Sequence, residues 1–309
     1  MREFLEFGRE PVFEDDESLA KGHTGVPPVD RSLEVLARRI LKSRPPSHEL
    51  HSTCIPPEDF AVLIQSYVEE ELHLALDTLR IEVSDHQQTL VSVVRHNHMI
   101  TVRIANRPIP EKIVPSLLAH ELGTHFVRMH NDNYRRRQTW SSYKTDEGLA
   151  VLCGMYCDGE LSLWSVCLRY VACILGSELG FKNLFDKLEE YIDDPEARFR
   201  YCCRVKRGIR DTSKPGAFGT DQAYLIGVVE LLAKRHEIDW FHLFSGLVSW
   251  KEGRKARYTN NRKWVLPPFL RYESQLKDFL MFLHQVEKHN SVSCMRRSKS
   301  SISFHRAII

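Results

Sequence analysis

The feature that most constrains this chain is the hexapeptide from His120 to His125, H-E-L-G-T-H, in which two imidazoles flank a carboxylate. In an ideal helix, side chains four positions apart differ by about 40° around the axis, whereas those five positions apart differ by about 140°. Two histidines at i and i+4 can therefore reach one metal ion, but at i and i+5 they diverge. The spacing predicts a helix with an extra-residue bulge or a bend at Gly123-Thr124, where glycine permits the distortion.

A metal site with two histidines needs a third protein ligand and one open position for water. The best candidate is Glu147, and its neighbour Asp146 is the less favoured alternative. This acidic pair opens an apolar run, which predicts the first turn of a helix. With a carboxylate as third ligand, Glu121 would serve as a base rather than as a ligand. His130, five residues after His125, is a rival third ligand.

Three other segments follow in order. T-D-E-G-L-A runs from Thr145 to Ala150; R-V-K-R-G begins at Arg204 and continues through D-T-S-K-P-G-A-F-G-T-D-Q-A-Y-L-I-G to Gly227; and V-L-P-P-F-L occupies residues 265–270. Together with H-E-L-G-T-H, they resemble the microtubule-associated tyrosine carboxypeptidases, whose wider family includes bacterial proteins with a Q-E-G-L-A motif. The resemblance covers roughly residues 60 to 290, but the loop before Glu147 is shorter than in the animal enzymes.

The resemblance implies a zinc-dependent metallocarboxypeptidase that removes the C-terminal tyrosine of α-tubulin. It assigns Zn²⁺ as the cofactor, His120, His125 and Glu147 as its ligands, and Glu121 as the catalytic base. The implied partners are the α-tubulin tail and microtubules, with a cytoplasmic, cytoskeleton-associated location and neither nucleic-acid binding nor membrane insertion. Two alternatives stay open: a metallopeptidase with another protein or peptide substrate, and a catalytically silent microtubule-binding relative.

A carboxypeptidase must also hold the free carboxylate of its substrate, and bidentate arginine suits that task. Arg204, Lys206 and Arg207 belong to the family-like block and are the candidates; Arg204 and Arg207, three positions apart, share a helix face. The competing interpretation is that these cations only stabilise the C-terminal end of a helix. Tyr224 is a candidate donor to the developing oxyanion.

The predicted fold class is α+β, mostly α, with a small β-sheet packed on a bulged zinc-binding helix and followed by a large helical region, as in metallopeptidases. Alternating apolar residues predict strands at 79–83, 90–94 and 99–104. Apolar spacing of the helical type predicts helices at 31–42, 57–79, 160–179, 181–192, 195–209, 220–236 and 268–289.

The predicted organisation is an N-terminal arm or helix (1–56, partly irregular), a metallopeptidase catalytic domain (57–290) and a disordered basic tail (291–309). The sequence has no apolar run long enough for a transmembrane helix, and its charged N-terminus is unlike a secretory signal. Its eight cysteines include no C-x-x-C pair, so we expect a reduced, cytosolic protein. A net charge of +2 indicates no particular partner.

Overall fold

The structure is a computed structural model that describes residues 1–12, 28–43, 53–87, 89–132, 138–253 and 264–292. The arginine-rich run at 135–137 and nearly all of the predicted basic tail lie outside the described residues. The chain divides into two compact units: unit 1 comprises Met1–Ser47 and Leu163–Ile226, and unit 2 comprises His48–Ser162 and Gly227–Ile309. The predicted division into arm, catalytic domain and tail stays a prediction.

The described residues are mostly helical with a small sheet, so the predicted α+β, mostly α class is confirmed. The α-helices are α1 Arg2–Phe7, α2 Glu34–Leu41, α3 Pro57–Ser66, α4 Val114–Leu117, α5 Val127–Asn131, α6 Trp140–Asp158, α7 Trp164–Glu178, α8 Phe181–Leu188, α9 Pro195–Lys206, α10 Gln222–Lys234, α11 Trp250–Gly253 and α12 Glu273–His289. Two π-helical segments lie at Tyr67–Glu71 and Leu118–Phe126. Short 3-10 turns lie at Leu76–Thr78, Glu111–Ile113, Gly219–Asp221, His242–Ser245 and Pro268–Leu270.

Unit 2 contains the sheets. The alternating segments form β2 Leu79–Ser84, β3 Val91–His96 and β4 Met99–Ala105, which confirms the predicted strands. The central strand β4 pairs in parallel with β2 and antiparallel with β3. Two further short strands, β1 Cys54–Ile55 and β5 Ile109–Pro110, pair antiparallel. Strand β3 packs against the π-helical segment that contains the two histidines, so the sheet supports that helix.

Unit 1 is built around α7, most of whose residues are buried because its sequence is apolar on nearly all sides. Helices α2, α8 and α9 pack against it. The N-terminal α1 adds Phe4, whose ring makes edge contacts with Phe181 and Phe185 at centroid distances of 5.0 Å. Within the part of the chain that the structure describes, no helix is both long and apolar enough to cross a membrane.

Candidate metal centre

The helix that carries the hexapeptide is α-helical at its start and end but π-helical from Leu118 to Phe126. A π-helix forms i→i+5 hydrogen bonds, so residues five positions apart come close together along one side of the helix. The rings of His120 and His125 accordingly lie with their centroids 5.0 Å apart. The distortion predicted from the histidine spacing is present, and it extends over more than one residue.

Gly123 leaves room for two aromatic side chains that pack against this helix. A Cβ atom at this position would lie 2.9 Å from Cε1 of Phe269 and 3.0 Å from the hydroxyl oxygen of Tyr67. Phe269 belongs to the V-L-P-P-F-L segment, so two of the family-like motifs meet at this glycine. The Tyr67 hydroxyl has no hydrogen-bond partner among the described residues, and burial raises its pKa.

Helix α6, which carries the acidic pair, begins at Trp140, so the prediction that Asp146 and Glu147 occupy a first turn is wrong. Thr139 caps the helix instead: its side chain accepts a hydrogen bond from the Ser142 amide, and the Ser142 hydroxyl accepts one from the Thr139 amide. This capping box uses serine where glutamate or glutamine is the usual signal, which makes it hard to recognise. The acidic pair lies in the middle of the helix and is buried.

His120, His125 and Glu147 form a group whose potential ligand atoms all lie within 4.8 Å of one another. Nε2 of His125 is 3.7 Å from Oε2 of Glu147. Two imidazoles and one carboxylate are a donor set used by catalytic zinc sites, so these residues fit a zinc ion. The rival ligand His130 lies outside the group: its ring stacks on Phe126, and burial lowers its pKa.

Asp146, the alternative candidate for the third ligand, contacts His125 instead. Its Oδ2 lies 2.9 Å from Nδ1 of His125, which places the proton on Nδ1 and leaves Nε2 to face the metal position. Burial opposes ionisation of Asp146, but His125 and Arg128 lower its pKa to about 2. Burial likewise opposes protonation of His125, yet Asp146 raises its pKa to about 10, so a bound cation would compete with that proton.

Arg128 connects this carboxylate to a distant segment of unit 2. Its fully buried guanidinium pairs with Oδ1 of Asp146. Its Nε donates to the carbonyl oxygens of Leu243 at 2.9 Å and Gly246 at 3.1 Å, and its Nη2 donates to that of Val248 at 2.6 Å. One side chain therefore holds both the Asp146 carboxylate and the backbone from 243 to 248.

The remaining residues of T-D-E-G-L-A have structural roles. Thr145 accepts a hydrogen bond from the Trp250 amide at 3.1 Å. Gly148 allows α6 to touch the backbone of α10, because a Cβ there would lie 2.4 Å from the carbonyl carbon of Gly227. A Cβ at Gly227 would in turn lie 1.9 Å from the carbonyl oxygen of Lys144. Gly227, the last glycine of the long family-like block, thus contacts Gly148, which is next to Glu147.

The predicted substrate-binding residues Arg204, Lys206, Arg207 and Tyr224 all lie in unit 1. Arg204 and Arg207 both pair with Asp221, a buried carboxylate that sequence reasoning missed although it stands in the family-like block. Their substrate contacts stay predictions. What the structure adds is a carboxylate that holds both guanidinium groups in place.

Lys206 is fully buried at the end of α9. Its ammonium group donates to the backbone carbonyls of Gly176, Leu179, Lys214 and Gly216. These bonds join the end of α7 to the turn that follows α9. The predicted substrate contact of Lys206 stays a prediction, and its observed contacts are with the backbone.

We expect Asp146→Asn to weaken zinc binding by about 10- to 100-fold, because the amide no longer fixes the tautomer and basicity of His125. Competition with a chromophoric chelator would measure the affinity. Asp85→Asn, a change at an exposed carboxylate in the turn after β2, is the control and should leave zinc affinity unaltered. Equal affinity in wild type and Asp146→Asn would contradict the orienting role.

The fold and the site together define a mostly helical α+β protein with a two-histidine, one-glutamate group suited to a metal ion. No protein-family model matches the chain. Sequence comparison nevertheless finds relatives at 32–38% identity that are named microtubule-associated tyrosine carboxypeptidase 1 or MATCAP2, which confirms the resemblance to that family.

Among these relatives, the mouse microtubule-associated tyrosine carboxypeptidase 1 is 35% identical over 182 residues, which cover 53% of this chain and 38% of the relative. Its human counterpart is 38% identical over 149 residues, which cover 44% of this chain and 31% of the relative. The mouse "Putative tyrosine carboxypeptidase MATCAP2" is 32% identical over 212 residues, which cover 64% of this chain and 40% of the relative. The matched regions thus span less than half the length of these relatives.

Structural comparison finds a crystal structure named as that of a "putative lipoprotein" from Colwellia psychrerythraea. It aligns with 90% of this chain and 47% of its own, at 11% identity and a TM-score of 0.38. Similarity at this level carries no argument about fold or function.

Proposed function

We propose that this protein is a zinc-dependent metallocarboxypeptidase that removes the C-terminal tyrosine of α-tubulin. The observation that carries the proposal is the group of His120, His125 and Glu147, with ligand atoms within 4.8 Å of one another, in a chain whose relatives are named tyrosine carboxypeptidases. Association with microtubules and a cytoplasmic, cytoskeletal location belong to the same proposal, since the relatives' names include microtubule association.

A zinc ion at this site would supply Lewis-acid activation of the scissile carbonyl and of a water molecule. Glu121 lies beside the histidines on the same π-helical segment and is 9% exposed. In the proposed mechanism its carboxylate accepts the proton of the attacking water and passes it to the leaving amine. Asp146 keeps His125 in the tautomer whose Nε2 faces the metal position.

Two arginines and a tyrosine of the family-like block are proposed to bind the substrate. Arg204 and Arg207 are proposed to hold the free C-terminal carboxylate, and Tyr224 to donate to the oxyanion as its charge develops. Both arginines are positioned by Asp221. Because arginine is more weakly hydrated than lysine and offers a planar pair of donors, it suits a carboxylate that must be held in one orientation.

The test uses purified zinc-loaded protein and tyrosinated α-tubulin, with the C-terminus read by mass spectrometry. We expect the wild type to remove one tyrosine and Glu121→Gln to lower the rate by about 10²- to 10⁴-fold, the usual contribution of a general base. Zinc content should stay at the wild-type level in Glu121→Gln. Glu58→Gln, at an exposed glutamate in α3, is the matched control and should retain full activity.

A zinc-loaded wild type that leaves tubulin intact would remove tubulin as the substrate. The second candidate function, a metallopeptidase for another protein or peptide, would then be tested with a peptide library; the short segment between the histidines and Glu147 favours it. Microtubule binding without hydrolysis of any peptide, unchanged in Glu121→Gln, would instead identify a catalytically silent relative.

A further inference from the structure

Three arginines of unit 1 gather around one tyrosine and one carboxylate. The guanidinium carbon of Arg169 lies 4.8 Å from the ring centroid of Tyr224, and that of Arg204 lies 5.8 Å from it. Arg204 and Arg207 pair with Asp221. Within this group of four charged side chains, three are positive and one is negative.

The three guanidinium groups differ in how many of their donors are used. Arg207 donates to the carbonyl of Arg204 at 2.8 Å, to Thr220 Oγ1 at 3.2 Å and to Asp221 at 2.8 Å, and it also stacks on the ring of Phe218. Its donors are therefore largely occupied by the fold. Of the three arginines, Arg207 therefore has the fewest donors left for a substrate carboxylate, and its part in the proposed carboxylate contact is the smaller one.

Arg204 and Arg169 keep donors available. Arg204 uses Nε and Nη2 for Asp221 and for the Tyr224 hydroxyl, and its Nη1 makes no hydrogen bond with the described residues. Arg169 is half-buried and its guanidinium group lies over the Tyr224 ring. It makes no hydrogen bond or ion pair with the residues that the structure describes. A guanidinium group carries five N–H donors in a fixed plane, a geometry that matches a carboxylate.

We propose that Arg169 and Arg204, beside the ring of Tyr224, form a carboxylate-binding site that takes the C-terminal carboxylate of a peptide substrate. This inference rests on the proposed carboxypeptidase function and adds Arg169 as a specificity-determining residue. Asp221 holds Arg204 in place, and the ring of Tyr224 supports both cations through cation–π contact. A bound carboxylate offsets the excess positive charge and satisfies the remaining donors.

The sequence alone gives no reason to select Arg169. It stands within the apolar stretch W-S-V-C-L-R-Y-V-A-C of α7, outside every family-like motif and 35 positions before Arg204. Only the packing of α7 beside the start of α10 brings it to Tyr224. An arginine on such an apolar helix, stacked on a ring and with its donors available, is suited to a ligand from outside the fold.

The experiment measures binding of fluorescent tyrosine-ending peptides to zinc-loaded Glu121→Gln protein, which holds substrate without turning it over. One peptide has a free C-terminal carboxylate and the other a C-terminal amide. We expect the protein with Arg169 intact to bind the peptide with a free carboxylate more tightly than the peptide with an amide. In the same background, Arg169→Gln should weaken binding of the carboxylate peptide by about 10- to 100-fold, as for a lost charge-assisted hydrogen bond, and leave the amide peptide unaltered.

Two further variants separate binding from folding. Arg169→Lys keeps the charge but loses the planar pair of donors, so it should restore part of the lost affinity. Arg200→Gln, at an exposed arginine of α9 that pairs with Glu196 at 2.6 Å, is the matched control and should bind both peptides as before. Circular dichroism of each variant checks that α7 remains folded.

Each outcome bears on the proposal. The proposal would be overturned if the protein with Arg169 intact bound both peptides with equal affinity. It would also be overturned if Arg169→Gln weakened the binding of both peptides equally, and that result would indicate acidic side chains of the peptide as the ligand. If the enzyme with Glu121 intact removes tyrosine and Arg169→Gln leaves its KM unchanged, the site fails while the proposed function survives. If the binding pattern holds but no peptide is hydrolysed, the site survives and the proposed function fails.

Discussion

Arg128→Met is expected to lower the free energy of unfolding by about 3–5 kcal/mol, because it leaves the Asp146 carboxylate buried without its cationic partner. The same change removes three hydrogen bonds to the backbone between Leu243 and Val248. Since Asp146 also bonds to His125, zinc affinity should fall with stability. Urea denaturation of the metal-free protein and chelator competition would measure the two effects separately.

Two controls define the origin of that loss. Arg103→Met removes an exposed arginine whose Nε is 3.4 Å from Glu82, and it should cost less than about 1 kcal/mol. The double variant Arg128→Met/Asp146→Asn removes both buried charges and should recover part of the stability, though not the zinc affinity. Strictly additive losses in the double variant would show that the two side chains are not coupled.

Gly148→Ala is expected to cost about 3 kcal/mol or more, because its Cβ would lie 2.4 Å from the Gly227 carbonyl carbon and 2.6 Å from the Val228 amide nitrogen. Both obstacles are backbone atoms of unit 2, so α6 and α10 would have to separate. The shift moves the adjacent Glu147 relative to the histidines, and we expect zinc binding to weaken as well. Thermal unfolding with and without zinc would record both changes.

Gly154→Ala is the matched control on the same helix. Its Cβ would lie 3.2 Å from the Ser116 carbonyl oxygen and 3.5 Å from the Ser116 Cβ, which needs only a small adjustment. Alanine also favours a helix interior by roughly 1 kcal/mol over glycine. Gly154→Ala should therefore change stability by less than about 1 kcal/mol, and an equal loss in both variants would contradict the backbone contact as the cause.

The residue pattern within short segments is sufficient to predict much of this fold. The strands follow from alternation, most helices from apolar spacing, and the distortion of the histidine helix from the need to bring His120 and His125 to one side. These features depend on residues close together in the chain. The start of α6 was missed because its cap, Thr139, pairs with Ser142 rather than with the glutamate or glutamine that marks a capping box.

The supporting residues could not be found in this way. Arg128 and its acceptor Leu243 are 115 positions apart, and nothing near either one in sequence identifies the other. Asp221 reads as an ordinary member of a motif until Arg204 and Arg207 are seen on both of its oxygens. Such long-range contacts depend on the whole fold, whereas the approach of His120 to His125 depends on one helix register.

The π-helical register has a consequence for how this site can be inactivated. If the segment from Leu118 to Phe126 relaxed to α-helical hydrogen bonding, His120 and His125 would move to about 140° apart around the axis. Such a slip would separate the two imidazoles, so the metal affinity proposed for this site depends on the helix register. A larger side chain at Gly123 would press against Phe269 or Tyr67, and we expect it to weaken metal binding by disturbing that register without touching either imidazole. The proposed metal site thus depends on a backbone state, because the same six residues in an ordinary α-helix would not bring the two imidazoles together.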